Sequence, residues 1–274
     1  MSGKIYLVAT PIGNLEDITF RAINILKEVD LIAAEDTRHT LKLLNYYNIS
    51  KPLVSYHRHN EDVKTEVLIE KVLHGENIAI VTDAGTPGIS DPGEEIVKEA
   101  IKNEIEVVPI PGACALINAL ISSGLNTKKF AFYGFLPINK KLRKKTFEDI
   151  LKENKTIIIY EAPHKLQRTL VDICENVGDI DCVIAKELTK IHEKFFRGKI
   201  SELVKQFDCP KGEYIILLDL NNIKSKNNEM ENKTVEEQYL FYKQQGLSKK
   251  EIIKIIAKNE NVSKNEIYQR FIDK

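Results

Sequence analysis

Two short polar stretches hold most of the side chains able to move a proton. "AEDTRHT" sets Glu35, Asp36, Arg38 and His39 close together, and "SYHRHNED" does the same for His57, Arg58, His59 and Asn60. A carboxylate or an imidazole held beside a reacting hydroxyl can take its proton. Glu35, Asp36 and His57 are therefore the candidates for acid–base work, with Arg38 as a charged neighbour. Each also has a plainer use. Asp36 and Thr37 fit as caps of a following helix, Arg38 as an ion-pair partner of Asp36 or Glu35, and the histidines as surface residues. Glu187 with Lys186, and Glu161 with His164, are further polar pairs. Cys114, Cys174, Cys182 and Cys209 lack metal-ligand spacing, and no other metal motif is visible. With no signal peptide ahead of them, they are expected to be reduced thiols in a cytosol.

Both polar stretches follow apolar runs that read as strands. "KIYLVA" (4–9), "DLIAAE" (30–35), "PLVSY" (52–56), "NIAIVTD" (77–83) and "IEVVPI" (105–110) alternate with amphipathic stretches at 18–29, 40–47, 60–74, 93–103 and 113–124. Strand–helix alternation of this kind predicts a mostly parallel sheet covered on both faces. Beyond it, strands are predicted at 130–136, 156–162, 181–187, 194–200 and 213–220, with helices at 140–153, 163–177 and 201–207. Strands that follow one another without a long helix imply antiparallel pairing. The expected organisation is an α/β domain over 1–124, a second α/β domain with a mixed sheet over 125–220, a polar linker over 221–233, and a helix-turn-helix-like module over 234–274. Thr234/Glu237, Ser248/Glu251 and Ser263/Glu266 fit the capping-box pattern, and Gly246 fits the end of the module's first helix. Leu240, Ile252, Ile256, Val262, Ile267 and Phe271 are the expected core of that module.

Between the strands run three unusually bare loops. "VTDAGTPGISDPG" (81–93) carries Gly85, Gly88, Gly93, Pro87 and Pro92 directly after an apolar strand. "VATPIGNLEDIT" (8–19) and "PIPGACA" (109–115) stand in the same relation to theirs. Glycine lets a ligand approach the backbone and permits positive φ. The carboxyl ends of strands are where open α/β sheets bind ligands. The 81–93 loop matches neither common phosphate-binding glycine motif, has no Lys or Arg, and carries Asp83 and Asp91. A neutral or cationic ligand is expected there.

The segments "ATPIGNLEDITFRA", "DLIAAEDTRHT", "VTDAGTPGISDPG", "PIPGACA", "YGFLP", "YEAPHKL" and "AKELTK" together resemble the tetrapyrrole (class III) methylase superfamily, and within it the branch acting on ribosomal RNA. The resemblance covers residues 4–220, and the C-terminal module is similar to the helical domain such proteins carry. It implies a two-domain methylase with S-adenosyl-L-methionine in the interdomain cleft, usually a homodimer. It also implies 2′-O-methylation of a cytidine ribose in small-subunit (16S) ribosomal RNA. Carried over by position, the cofactor contacts would be Ile12, Gly85, Thr86, Ile89, Cys114 and Ala115 from the first domain. Tyr160, Ala185 and Gly212 would come from the second.

Composition sets limits on the partner. Lys+Arg and Asp+Glu are both 40, so a basic surface for nucleic acid must be local. "KKLRKK" supplies one with Lys140, Lys141, Arg143, Lys144 and Lys145, and Arg58 is a further phosphate candidate; the plainer use of the run is a solvated helix face. Tyr133, Phe135 and Tyr160 are candidates to stack a splayed base, although Phe135 suits ordinary core packing better. No apolar run approaches the roughly 20 residues of a membrane span. The rival readings are a methylase of a small tetrapyrrole precursor, a non-catalytic RNA-binding or ribosome-assembly protein, and an α/β enzyme using a nucleotide cofactor. The missing phosphate motifs disfavour the last.

Overall fold

A computed structural model describes residues 2–207, 211–221, 234–244, 247–260 and 262–271. Cys209, Gly246 and the linker beyond Asn221 lie outside the described residues. The chain divides into two compact units, Met1–Asp219 and Leu220–Lys274.

The first unit holds two five-stranded sheets. β1 (Lys4–Val8), β2 (Leu31–Ala34), β3 (Leu53–Ser55), β4 (Ile78–Val81) and β5 (Glu106–Ile110) form the first, in the order β3-β2-β4-β1-β5. Every pairing in it is parallel. β2 and β4 are buried along their whole length, as strands covered on both faces must be. On one face lie α1 (Phe20–Glu28) and α2 (Thr37–Tyr46), giving Ala22, Leu26 and Leu44 to a core with Val8, Ile32 and Val81. On the other lie α3 (Glu61–Leu73) and α4 (Glu94–Lys102), giving Leu68, Val72 and Ile96 to a core with Ile5, Ile78 and Ile80. The alternation of apolar side chains up and down β1 and β4 follows from the period of two along a strand.

The second sheet contains β6 (Phe130–Phe135), β7 (Thr156–Glu161), β8 (Asp181–Lys186), β9 (Lys194–Lys199) and β10 (Tyr214–Asp219), in the order β6-β7-β10-β8-β9. Only β6 and β7 run parallel; the remaining pairs are antiparallel. α5 (Ala115–Ser123) ends at Gly124 in the left-handed conformation. Its Leu116, Ala119 and Leu120 pack with Ile158, Val183, Ala185, Ile215 and Leu217. α5 thus precedes the expected boundary at 124 in sequence, yet its buried face belongs to the core of the second sheet. α6 (Lys140–Ile150) and α7 (Leu166–Asn176) follow β6 and β7. They bury Phe147, Ile150, Leu170 and Ile173.

Among its described residues the second unit has three helices, α9 (Val235–Gln244), α10 (Lys249–Asn259) and α11 (Lys264–Gln269), after the short α8 (Ile200–Leu203) of the first unit. Val235, Ile252, Ile253, Ile256, Ala257, Ile267 and Phe271 form its core. The expected Leu240 and Val262 do not join it, being 57% and 38% exposed; Ile253 and Ala257 complete the stripe along α10 instead. Ser248 and Ser263 each form the full capping box with Glu251 and Glu266. Ser263→Ala should therefore cost about 1 kcal/mol of local stability. Hydrogen exchange at the first amides of α11 would read it, with protection elsewhere in the chain unchanged.

Candidate active site

The three bare loops leave the carboxyl ends of β1, β4 and β5 and are stitched together. Thr10 and Gly85 exchange backbone hydrogen bonds, at 2.9 Å from the Thr10 N–H and 3.1 Å from the Gly85 N–H. The Thr10 hydroxyl donates to the Thr82 carbonyl at 3.1 Å, and the Thr86 hydroxyl to the Ala113 carbonyl at 3.1 Å. Gly85 sits at φ +86°, where L side chains are strained, and a Cβ there would lie 3.3 Å from Ile12 Cγ2. The second sheet closes the other side. The Leu116 N–H donates to the Tyr160 hydroxyl at 3.1 Å, and the Asn14 N–H to Thr189 Oγ1 at 3.1 Å.

These walls enclose a cleft of about 470 Å³. Ile12, Gly85, Thr86, Ile89, Cys114, Ala115, Tyr160 and Ala185 all line it. Gly212 does not. It stands behind the wall, where a Cβ would meet Glu187 Cδ at 2.7 Å, and its neighbour Glu213 reaches the lining instead.

Of Glu35, Asp36, Arg38 and His57, only Glu35 lines the cleft. Burial pushes its carboxyl up. Asp36 caps α2, accepting the Arg38 N–H at 2.9 Å and pairing with its guanidinium at 3.0 Å. That hydrogen bonding pulls the Asp36 carboxyl down to about 2, a poor proton acceptor near neutrality. His57 lies outside the lining; its N–H donates to Asn60 Oδ1 at 2.8 Å and its buried Nδ1 has no hydrogen-bond partner. The Arg58 guanidinium donates to the carbonyl of Ser90, which is itself at φ +66°.

Six acidic residues line the cleft, Glu35, Asp83, Asp91, Glu161, Glu187 and Glu213, and no Lys or Arg does so among the described residues. At one end Asp36 N–H donates to Asp83 Oδ1 at 3.1 Å and Asp83 N–H to Glu35 Oε2 at 3.4 Å. Asp91 completes this end. Burial, then the negative field of Glu35, pushes its carboxyl up to about 6. In sequence, Asp83 and Asp91 suggest only a bed for a cation. That Asp91 would be half-buried beside two other carboxylates depends on β2 and β4 being neighbours, which local sequence does not reveal.

Phe135 does not pack in the core. It is 58% exposed and lines the cleft, its ring 5.8 Å from that of Tyr160. The reason is local: the β6–β7 register shifts between Phe132 and Gly134, and Gly134 takes φ +60°, which re-aims the next side chain. Tyr133 instead donates to Glu153 at 3.4 Å, away from the cleft. On α6, Lys140, Lys141, Lys144 and Lys145 are exposed, but Arg143 turns inward to Asp172 at 2.8 Å and Thr169 at 2.7 Å. Glu161 lines the cleft and accepts the Thr169 hydroxyl at 2.6 Å; His164 is exposed and does not line it. Glu187, at φ +51°, accepts Lys190 Nζ at 3.0 Å and the Glu213 N–H at 2.9 Å, while Lys186 lies over the Tyr214 ring.

A sheet-end cleft built from glycine-rich loops, apolar in its walls and purely acidic in its charges, fits a sulfonium cofactor better than a nucleotide phosphate. The family model for Tetrapyrrole (Corrin/Porphyrin) Methylases matches residues 4–204, and the chain belongs to that family. It is a methyltransferase using S-adenosylmethionine. Among curated relatives, the ribosomal RNA small subunit methyltransferase I of Bacillus subtilis is 47% identical over 98% of this chain and 94% of its own length. The protein of that name from Synechocystis is 52% identical over 79% of this chain and 78% of its own. A crystal structure of diphthine synthase superposes with TM-score 0.64 at 14% identity, covering 79% of this chain and 90% of its own. A uroporphyrin-III-C-methyltransferase from Thermus thermophilus gives 0.55 at 18%, covering 82% and 98%. No helix among the described residues is long and apolar enough to cross a membrane.

Two predictions follow from this geometry. Gly85→Val should fold but weaken cofactor binding by about tenfold or more, measured by calorimetry, because the side chain crowds Ile12 in a backbone conformation unsuited to it. For Asp91, a carboxyl whose pKa is raised by folding favours the protonated protein. Its contribution is fully present below the ordinary value of 3.8 and lost as pH rises through about 6. Asp91→Asn should therefore melt at a higher temperature than the unaltered protein above about pH 7, with the gap closing below about pH 4.

Proposed function

We propose that this chain transfers a methyl group from S-adenosylmethionine to the 2′-hydroxyl of a cytidine ribose in small-subunit (16S) ribosomal RNA, as a homodimer in the cytoplasm. One observation carries the substrate class: the near-full-length similarity to relatives named for small-subunit ribosomal RNA methylation, which includes the C-terminal helical unit. The homodimer and the cytidine ribose rest on the family resemblance of the sequence motifs.

When bound, S-adenosylmethionine supplies a methyl group already activated on a sulfonium. The protein's own contribution is then largely alignment of the nucleophile with that methyl. Ile12, Ile89, Ala115 and Ala185 offer apolar walls, Gly85 and Thr86 offer exposed backbone, and Cys114 and Tyr160 border the same space. Gly212 acts from behind, by leaving room for the Glu187 side chain. The acidic lining favours a positive centre.

The RNA would approach from the side of Phe135 and Tyr160, whose rings can stack a base turned out of its neighbours. Lys140, Lys141, Lys144 and Lys145 present positive charge for phosphates. Arg143 holds α6 to α7 through Asp172, and Arg58 holds the 81–93 loop through Ser90; both shape the RNA surface from beneath. Glu35 is placed to help organise the acidic end, whereas Asp36 and Arg38 fix the start of α2.

Small subunits lacking the modification should accept labelled methyl from S-adenosylmethionine, mapping to one alkali-resistant ribose; a tetrapyrrole precursor offered beside them should not. Lys144→Glu with Lys145→Glu should weaken RNA binding and flatten its dependence on salt by about one to two units of log K per log salt. Cofactor affinity should not change.

A further inference from the structure

We propose that Arg143 is a positioning residue of the methyl-transfer site, setting the cofactor wall at residues 161–163 from helix α6 through Thr169 and Glu161. The inference concerns the cofactor and stands apart from the ribose reading. The basic run 140–145 looks uniform in sequence, yet its members part company in the fold. Lys140, Lys141, Lys144 and Lys145 are exposed, whereas the Arg143 side chain is only 15% exposed and lies over the Phe147 ring. A guanidinium taken out of water needs acceptors on its fork of N–H groups. Arg143 has two. Its Nε donates to Asp172 Oδ2 at 2.8 Å, and its Nη2 donates to the Thr169 hydroxyl oxygen at 2.7 Å.

The second bond does not stop at α7. The Thr169 hydroxyl, accepting from Arg143, donates in turn to Glu161 Oε2 at 2.6 Å. Glu161 Oε1 accepts the Ala162 N–H at 2.9 Å. Hydrogen bonds thus run without a break from the guanidinium to the main chain at Ala162, and bonds linked in this way strengthen one another. Thr169 and Glu161 are both buried, and Glu161 is the one buried acidic residue among the described residues. A carboxylate in such a place must be held by donors. Arg143, one hydroxyl away, is the cation on its chain of hydrogen bonds.

The far end of that chain is the cleft. Glu161 is the last residue of β7, paired across the sheet with Tyr214. Beyond it the main chain leaves the strand, and Glu161, Ala162 and Pro163 line the cofactor cleft beside Tyr160. The course of this turn past the cleft is set by the Glu161 bond to the Ala162 N–H and by the Lys165 N–H, which donates to the Ala162 carbonyl at 3.0 Å. A displacement of about 1 Å in a wall of this kind is felt by the group it holds. The helix that carries the exposed lysines and the wall that borders the cofactor are therefore one hydrogen-bonded unit, with Arg143 at the joint.

Four variants of the full chain separate the two arms of Arg143, each titrated calorimetrically with S-adenosylmethionine and melted alongside the unaltered protein. Thr169→Val keeps the shape of the side chain and removes the hydroxyl; Arg143→Met removes the cation and both its bonds. Each should weaken cofactor binding about three- to thirtyfold, as buried groups lose hydrogen-bond partners. Thr169→Ser, which restores the hydroxyl, should bind within about twofold of the unaltered protein. Asp172→Ala breaks only the arm that ties α6 to α7. It should lower the melting temperature yet leave cofactor affinity within about twofold. A side chain that merely held two helices together would not produce that split. Should Thr169→Val not fold, Arg143→Met against Asp172→Ala decides. Undiminished cofactor affinity in Thr169→Val or Arg143→Met overturns the proposal. So does a loss in Thr169→Val that Thr169→Ser fails to restore, or an Asp172→Ala defect in cofactor binding as large as that of Arg143→Met.

Discussion

The cleft depends on a pair of reciprocal backbone hydrogen bonds between Thr10 and Gly85. They join the loops after β1 and β4, the Thr86–Ala113 contact adds the loop after β5, and the three then behave as one surface. Backbone N–H and C=O groups taken out of water must be paired. Here they pair with one another across loops, so few long side chains are needed to hold the bed together. The space that side chains would have filled becomes the cleft. Gly85 makes the pairing possible because its backbone turns through positive φ while Ile12 packs against the missing Cβ.

Charge is segregated around that cleft. The chain as a whole is neutral, but the cleft is lined by six acidic residues and its described lining has no Lys or Arg. The exposed lysines of α6 lie outside the lining. The cleft thus favours a positive ligand, while the exposed lysines of α6 offer positive charge outside it. Within the acidic end the carboxylates divide their work. Glu35 and Asp83 bind backbone amides and keep β2 and β4 loops in register, which leaves Asp91 uncommitted. Asp36, the more conspicuous residue in sequence, is committed elsewhere. Its oxygens hold Arg38 and the first turn of α2.

Much of this was legible in the residues because period and punctuation are local signals. Strand runs such as Ile78–Val81, caps such as Ser248 with Glu251, and the glycine–proline loops each announce themselves within a dozen residues. The cofactor residues carried over from the family resemblance, other than Gly212, line one cleft. What escaped were effects of neighbours distant in sequence. Phe135 reads as core from its apolar surroundings, and only the irregular pairing of β6 with β7 turns it outward. α5 reads as the last helix of the first sheet, but its buried residues pack against the second. Arg143 reads as one of five like charges, and only the presence of Asp172 on α7 shows that it is a tie between helices.

The central claim is that the cleft is built for a cationic, phosphate-free cofactor. Calorimetric titration of the protein with S-adenosylmethionine, and separately with ATP, tests it most directly. Saturable binding of S-adenosylmethionine, with ATP at least about a hundredfold weaker (roughly 2.7 kcal/mol), is the predicted result. ATP binding as tightly as S-adenosylmethionine, or an S-adenosylmethionine affinity untouched by Gly85→Val, would contradict it.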